Sequence, residues 1–401
     1  MAEGATLGPE PAPVGLAPAG LLFRAVLAGL LGGAGAVAFR EVVRLVNQLT
    51  YGFDVEQMAS AATSLDWWWP PLVLGAGGLG VGLYVHFLLP QRRPHGVADV
   101  IQAMALRSTG LDLRQGLLTA LGAAASLGFG ASVGREGPVV HLGASVAAWL
   151  GRLLAVPQSA RRVLLGAGVA GAIAASFNAP LAGAFFALEV VVARFAFPAF
   201  APVALGAAAG TIVGLLRYGG APAFVVPQDW GLVSLSELPA FLILGLLCAV
   251  AAWLFAASTF LVDRAFARLA WPRTLRPAAA GLVVGALAIV DPRILGVGYE
   301  ATSAVLAGGL DLEGLVLLAV LKMTATALCL GAGFVGGVFS PALFLGCMLG
   351  GSFGLVAAMV QPDLASAHGA YALVGMGAVA GAVLGAPIST AIMMVELTGD
   401  L

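Results

Sequence analysis

Charge is what this sequence has least of. Asp, Glu, Lys and Arg together make up 10% of its 401 residues, against roughly 25% in a soluble domain. That scarcity excludes a water-soluble globular protein. The formal net charge of −1 argues against nucleic acid as a partner. Cysteine is scarce too: Cys248, Cys329 and Cys347 lie in apolar helical sequence without metal-ligand spacing and read as small buried hydrophobes. No HExxH zinc-protease motif, Walker phosphate loop or nucleophile elbow is present, and the glycine-rich turns lack the strand context that nucleotide binding needs. An enzyme is therefore not expected, and neither is a metal or cofactor. Residues 1–19 are rich in Pro, Ala and Gly and carry no lysine or arginine ahead of an apolar core. They read as a disordered tail and not as a cleaved signal peptide.

What is there is apolar sequence, 60% of the chain. Apolar segments fall near 20–48, 70–90, 115–131, 138–154, 162–175, 180–196, 201–216, 237–266, 275–290, 312–331, 340–360, 369–384 and 387–398, with short amphipathic pieces near 97–107 and 298–307. A run of about 17–25 apolar residues crosses a bilayer, so the fold class is an all-α polytopic membrane protein. Several segments are too short to span, or are broken by glycine and proline. Irregular backbone at membrane depth is tolerated only inside protein or beside a watery cavity, which makes the breaks candidate site positions. Arg92 and Arg93 follow the second long helix, and Arg264, Arg268, Arg273 and Arg276 cluster between two others. The connection 52–69 carries Asp54, Glu56 and Asp66 and no basic residue. The positive-inside rule then places the arginine loops and the N-terminus in the cytoplasm.

The chain repeats itself. Residues 127–151 align without a gap on 330–354, matching Gly128/Gly331, Gly130/Gly333, Gly134/Gly337, Pro138/Pro341, Gly143/Gly346 and Gly151/Gly354 among others. Further on, Asn178-Ala-Pro-Leu and Gly385-Ala-Pro-Ile are each followed, nine residues past the proline, by Glu189 and Glu396. The expected halves are 20–217 and 237–401. An apolar helix, 201–216, follows Glu189, while the chain stops just after Glu396. The second half therefore reads as clipped by at least one helix. Duplicated halves meeting at broken helices mark secondary transporters and related channels, with sites near the midplane.

Two Gly-x-x-x-Pro turns open helices: Gly134-Arg-Glu-Gly-Pro138 and Gly337-Val-Phe-Ser-Pro341. Proline suits a first helical turn, where its missing N–H has no partner to lose. The free N–H groups at such a turn, at the positive end of the helix dipole, suit an anion. No lysine is needed, and conduction requires weak binding at several positions. Glu136 sits among these donors. Its carboxylate is itself an anion that can fill the site, and protonation would release it, so one residue could act as gate, pH sensor and proton acceptor. An intramembrane acid is a functional candidate by default; the alternative is a structural glutamate satisfied by Arg135 or backbone donors. Pro94-His-Gly-Val-Ala98 opens a third, short helix that Asp99 could cap or charge. Other polar residues read as structural. Lys322 suggests an ion pair or snorkelling, His141 a packed and hydrogen-bonded ring, and Asn178 helix-start chemistry. Glu189 and Glu396 read equally as caps, ion pairs or proton carriers.

These motifs resemble those of the CLC family of chloride channels and chloride/proton antiporters, over about 20–401. Gly134–Pro138 matches the family's GREGP, Gly337–Pro341 its GxFxP, and Phe177-Asn-Ala-Pro-Leu181 and Gly385-Ala-Pro-Ile388 two further stretches. The resemblance implies an inverted-repeat helical fold, of the prokaryotic type without CBS domains, and a homodimer in the bilayer of a bacterial inner or plasma membrane. It implies chloride, possibly exchanged for protons, as the transported ion. It makes Glu136 the gate, and Arg135, Glu136 and Gly137 the frame of an outer anion position. Val338 and Phe339 become central N–H donors, with His95 and Gly96 completing the anion site. Glu136 and Glu189 are the candidate proton route. Where the family has GSGIP, this chain has His95 for the serine; its imidazole could donate to the anion or carry charge at low pH, or equally point away and leave coordination to the backbone, so fluoride or nitrate transport stands as an alternative to chloride, and a non-conducting sensor or scaffold as another. The family's internal proton-transfer glutamate falls at Val190, one past Glu189.

Overall fold

The computed structural model describes residues 18–53, 58–106, 110–193, 197–220, 237–269, 271–360 and 368–398. Within them every regular element is helical. The first half holds α1 (Pro18–Tyr51), α2 (Met58–Thr63), α3 (Trp69–Phe87), α4 (Val97–Ala105), α5 (Leu113–Gly128), α6 (Glu136–Leu153), α7 (Gln158–Phe177), α8 (Pro180–Phe186) and α9 (Phe197–Tyr218). The second holds α10 (Leu238–Arg268), α11 (Arg276–Val290), α12 (Tyr299–Leu306), α13 (Leu312–Ala332), α14 (Phe339–Val360), α15 (His368–Leu384) and α16 (Pro387–Thr398). Among the described residues seven helices are long and apolar enough to cross a membrane. The outward face of α10 fits lipid: Leu242, Leu246 and Trp253 are 72%, 70% and 68% exposed.

Local chemistry sets where these helices start. Proline stands in the first turn of α3, α8, α10 and α11, where it costs no intrahelical hydrogen bond. Asp112 and Asp311 cap α5 and α13, accepting from the N–H groups of Arg114 at 3.2 Å and Gly314 at 3.1 Å.

Packing rests on small residues. A Cβ added to Gly29 of α1 would fall 2.1 Å from the Gly206 carbonyl of α9, one on Gly171 of α7 2.4 Å from the Gly29 carbonyl, and one on Gly210 2.2 Å from the Gly171 carbonyl. Three backbones thus cross at van der Waals contact. Gly346 of α14 and Gly375 of α15 make the same approach in the second half, at 2.2 and 2.3 Å. Small residues at helix crossings are how apolar helices associate where lipid already solvates leucine.

Two glutamates fasten the halves together. The Glu189 carboxylate accepts from the N–H groups of Ile388 at 3.1 Å and Ser389 at 2.8 Å, at the start of α16. The Glu396 carboxylate accepts from Leu181 at 2.8 Å and Ala182 at 2.6 Å, at the start of α8. Each acid caps the broken helix of the other half.

Within the apolar segment 180–196, α8 runs to Phe186 and continues as a π-helical turn over Ala187–Val192, and Ala193 is left-handed with φ +52°. The structure corrects other expectations. Asn178 does not start a helix. It ends α7 in the left-handed conformation (φ +55°, ψ +39°), which asparagine tolerates, and Ala179 precedes Pro180 at the start of α8. Lys322, the only lysine of the chain, does not snorkel and among the described residues pairs with no acid. It is fully buried and donates to the carbonyls of Ile294 at 2.8 Å and Gly296 at 2.7 Å, with Phe344 below it at 5.0 Å. Most of the proposed N-terminal tail, and Asp54 and Glu56 of the acidic connection, lie outside the described residues.

Candidate anion site at the crossing of two broken helices

The two Gly-x-x-x-Pro turns meet. The Gly134 N–H donates to the Gly337 carbonyl at 2.7 Å, and the Gly337 N–H to the Gly134 carbonyl at 2.6 Å. This is an isolated antiparallel bridge between the loops that lead into α6 and α14. Glycine is required here by proximity: a Cβ on Gly134 would lie 2.5 Å from Glu136 Oε2 and 3.1 Å from the Gly337 carbonyl. The bridge brings the first turns of both helices to one place. Their leading N–H groups have no intrahelical acceptor.

A cavity of about 340 Å³ opens beside the bridge. Gly96 at the start of α4, Glu136 and Gly137 of α6, and Gly337, Val338 and Phe339 at the start of α14 line it. Three helix starts from distant parts of the chain therefore share one space. The rest of the lining is apolar, including Ile173, Phe177 and Met393. Phe177 and Phe339 meet edge to face at 5.8 Å.

Glu136 spans the crossing. It is the first residue of α6 and is 6% exposed. Its Oε2 accepts from the Ser340 N–H at 3.3 Å, and its Oε1 accepts from the Ser340 hydroxyl. The carboxylate thus lies at the positive end of the α14 dipole, among N–H groups that favour negative charge.

Of the other sequence-derived candidates, Gly96, Gly137, Val338 and Phe339 line the cavity with Glu136; Arg135, His95 and Glu189 do not. The Arg135 guanidinium donates to the Ser176 carbonyl at 2.9 Å and the Tyr299 hydroxyl at 2.6 Å, and it lies over the rings of Phe177 and Tyr299 at 4.8 and 5.2 Å. It does not hold the Glu136 carboxylate. Of the two readings of His95, the structure has the imidazole point away: its Nδ1 lies 3.1 Å from Asp99 Oδ1, its Nε2 meets the Gln115 amide, and its face stacks on His141. Gly96, Val97, Ala98 and Ile101 beside it line the cavity instead. His141 corrects another expectation: it is fully buried, but among the described residues neither ring nitrogen has a hydrogen-bond partner. Glu189 is occupied as the cap of α16.

Asp99 does cap α4, its Oδ2 accepting from the Gly96 N–H at 2.8 Å, while Arg93 donates to Oδ1 at 2.7 Å. Partial burial opposes its charge, but donors from Gly96, Arg93 and His95 outweigh this and hold it below the usual carboxylate range.

Sequence reasoning missed Ser340, Tyr299 and Gln115. Ser340 had a signal: it is the one hydroxyl residue inside the second Gly-x-x-x-Pro turn. Tyr299 and Gln115 had none, because their partners come from segments 164 and 20 residues away.

A family model described as voltage gated chloride channel matches residues 77–401. A ClcB-like protein of Ralstonia nicotianae is 37% identical over 382 residues, covering 93% of this chain and 88% of the relative. The H(+)/Cl(-) exchange transporter ClcA of Vibrio cholerae is 31% identical over 391 residues, covering 96% and 83%. Among solved structures, a slow cyanobacterial Cl-/H+ antiporter superposes with a TM-score of 0.84 at 24% identity, over 96% of this chain and 91% of that one. A CLC-type fluoride/proton antiporter superposes with a TM-score of 0.78 at 23% identity, over 94% and 90%.

Proposed function

The chain belongs to the voltage-gated chloride channel family and is an integral multi-pass membrane protein, and from that premise we propose that it moves chloride through the cavity beside the Gly134–Gly337 bridge, with Glu136 as a protonatable gate. The observation that carries the proposal is the Glu136 carboxylate held by Ser340 at the start of α14. Ionised, it fills the anion position and blocks passage. Protonated, it loses its attraction to the helix dipole and to the Ser340 donors, and chloride can take its place. The N–H groups of Val338 and Phe339 and the backbone of Gly137 then serve as weak donors, which lets the ion leave again, while Gly96, its N–H held by Asp99, only lines the path. Proton binding at Glu136 and anion passage would share one position, the minimum that exchange requires. That the related ClcA exchanges protons for chloride supports this coupling. In this reading the protein works as a homodimer in a bacterial plasma membrane, with its N-terminus in the cytoplasm.

Chloride efflux from proteoliposomes tests the gate. Wild-type flux should rise as pH falls, and Glu136→Gln should give flux that no longer depends on pH. Unchanged flux and pH dependence in the variant would remove Glu136 from the gating role. Fluoride is a second reading, favoured by the fluoride/proton antiporter among the fold neighbours. Comparing the two anions in the same efflux assay separates them.

A further inference from the structure

His95 and His141 form a second constellation, behind the cavity wall and unused by the gate. The rings stack at 5.5 Å with 22° between their planes. His95 is 6% exposed and His141 0%. Asp99 faces His95 from the first turn of α4 and Arg93 faces Asp99 from the segment before it; Gln115 faces His95 from α5, and α6 contributes His141 itself. Among the described residues Asp99 and Arg93 are the charged groups of the cluster, and they reach solvent, with side chains 15% and 50% exposed; the π-helical turn Ala187–Val192 also packs on α4, but its Glu189 carboxylate is taken by α16.

The hydrogen bonds define the tautomer. An ionised carboxylate only accepts, so His95 Nδ1 carries a hydrogen toward Asp99. In the neutral ring Nε2 is then left with its lone pair, facing the Gln115 amide, whose nitrogen can donate to it. This arrangement is complete for a neutral imidazole. It is also ready for a charged one: half a turn of the Gln115 amide puts its oxygen where its nitrogen stood, and a protonated Nε2 then has an acceptor. The Asp99 bond survives both states and becomes an ion pair in the second. His141 limits the load to one proton, because a second would set two cations face to face.

The N–H that Asp99 caps belongs to Gly96, which lines the cavity. We propose that His95, stacked on His141, binds one proton and thereby strengthens anion binding in the adjoining cavity. The proposal rests on the reading of that cavity as an anion site. A positive ring one residue from the cavity wall favours an anion there, and by linkage a bound anion favours the proton. The protein then holds a proton site separate from Glu136, on the α4 side of the anion.

The test uses the Glu136→Gln protein, so that the gate contributes no titration. Chloride affinity is measured by calorimetry on the purified full chain between about pH 5 and pH 8. Affinity should rise by about fivefold or more as pH falls, with proton uptake on chloride addition in unbuffered solution. Adding His95→Gln should abolish both effects, and His95→Asn repeats the test if the first variant is not monodisperse. Chloride affinity that ignores pH in Glu136→Gln, or pH dependence that persists without His95, would overturn the proposal and leave the anion site standing. No chloride binding at any pH would overturn the anion site and this proposal with it.

Discussion

At the scale of single residues, the site depends on which donor reaches which acceptor. Ser340 gives Glu136 two donors, one from its backbone and one from its hydroxyl. The backbone donor is common to any residue at the start of α14, whereas the hydroxyl is particular to serine. A hydrogen bond to a charged group contributes about 1.5–3 kcal/mol, and about 1.4 kcal/mol corresponds to one pH unit. Removing the hydroxyl disfavours the ionised carboxylate, so the gate should protonate sooner. In Ser340→Ala the pH of half-maximal chloride efflux should move up by about one unit, read from a pH series in proteoliposomes. Lys322 acts further back. It holds the carbonyls of Ile294 and Gly296, and the Gly296 N–H in turn donates to the Gly130 carbonyl at 3.0 Å, in the loop before Glu136. Lys322→Met leaves two buried carbonyls without their donor, at about 1–3 kcal/mol each. The thermal midpoint in detergent should fall clearly below wild type.

At the scale of elements, broken helices are stabilised by their counterparts. The short helix α8 and its π-helical turn, and α16, are each too short to cross a bilayer, and each presents its first N–H groups to an acid from the other. A carboxylate at a helix start satisfies orphan donors and complements the dipole, for about 1 kcal/mol. Glu189→Ala and Glu396→Ala should each lower the thermal midpoint by a similar amount. Because both caps fasten the same two elements, the double variant should cost something other than the sum. Additive losses would mean the caps act independently.

At the scale of the whole molecule, the crossing of Gly134 and Gly337 joins segments that the sequence alignment already pairs. Helix positions, the paired turns and the place of Glu136 were legible because they depend on local residue types: proline at a helix start, glycine where backbones meet, an acid amid free N–H groups. Orientation of polar side chains was not. Arg135 turns to Tyr299, Lys322 to Gly296, and His95 to Gln115 and His141, and each partner arrives through the tertiary fold. Asn178 was misread because Asn suits both helix starts and left-handed helix ends, and only Pro180, two residues on, assigns the start to the next helix.

The central claim is that the Glu136 carboxylate occupies the position of a transported anion. Bromide scatters anomalously and substitutes for chloride, so crystals of the Glu136→Gln protein grown in bromide test it directly. A bromide peak is expected within hydrogen-bond distance of the Ser340 N–H, at the start of α14. No peak is expected at that position in wild-type crystals at a pH where Glu136 is ionised. Bromide at the Ser340 N–H in both proteins, or in neither, would contradict the claim.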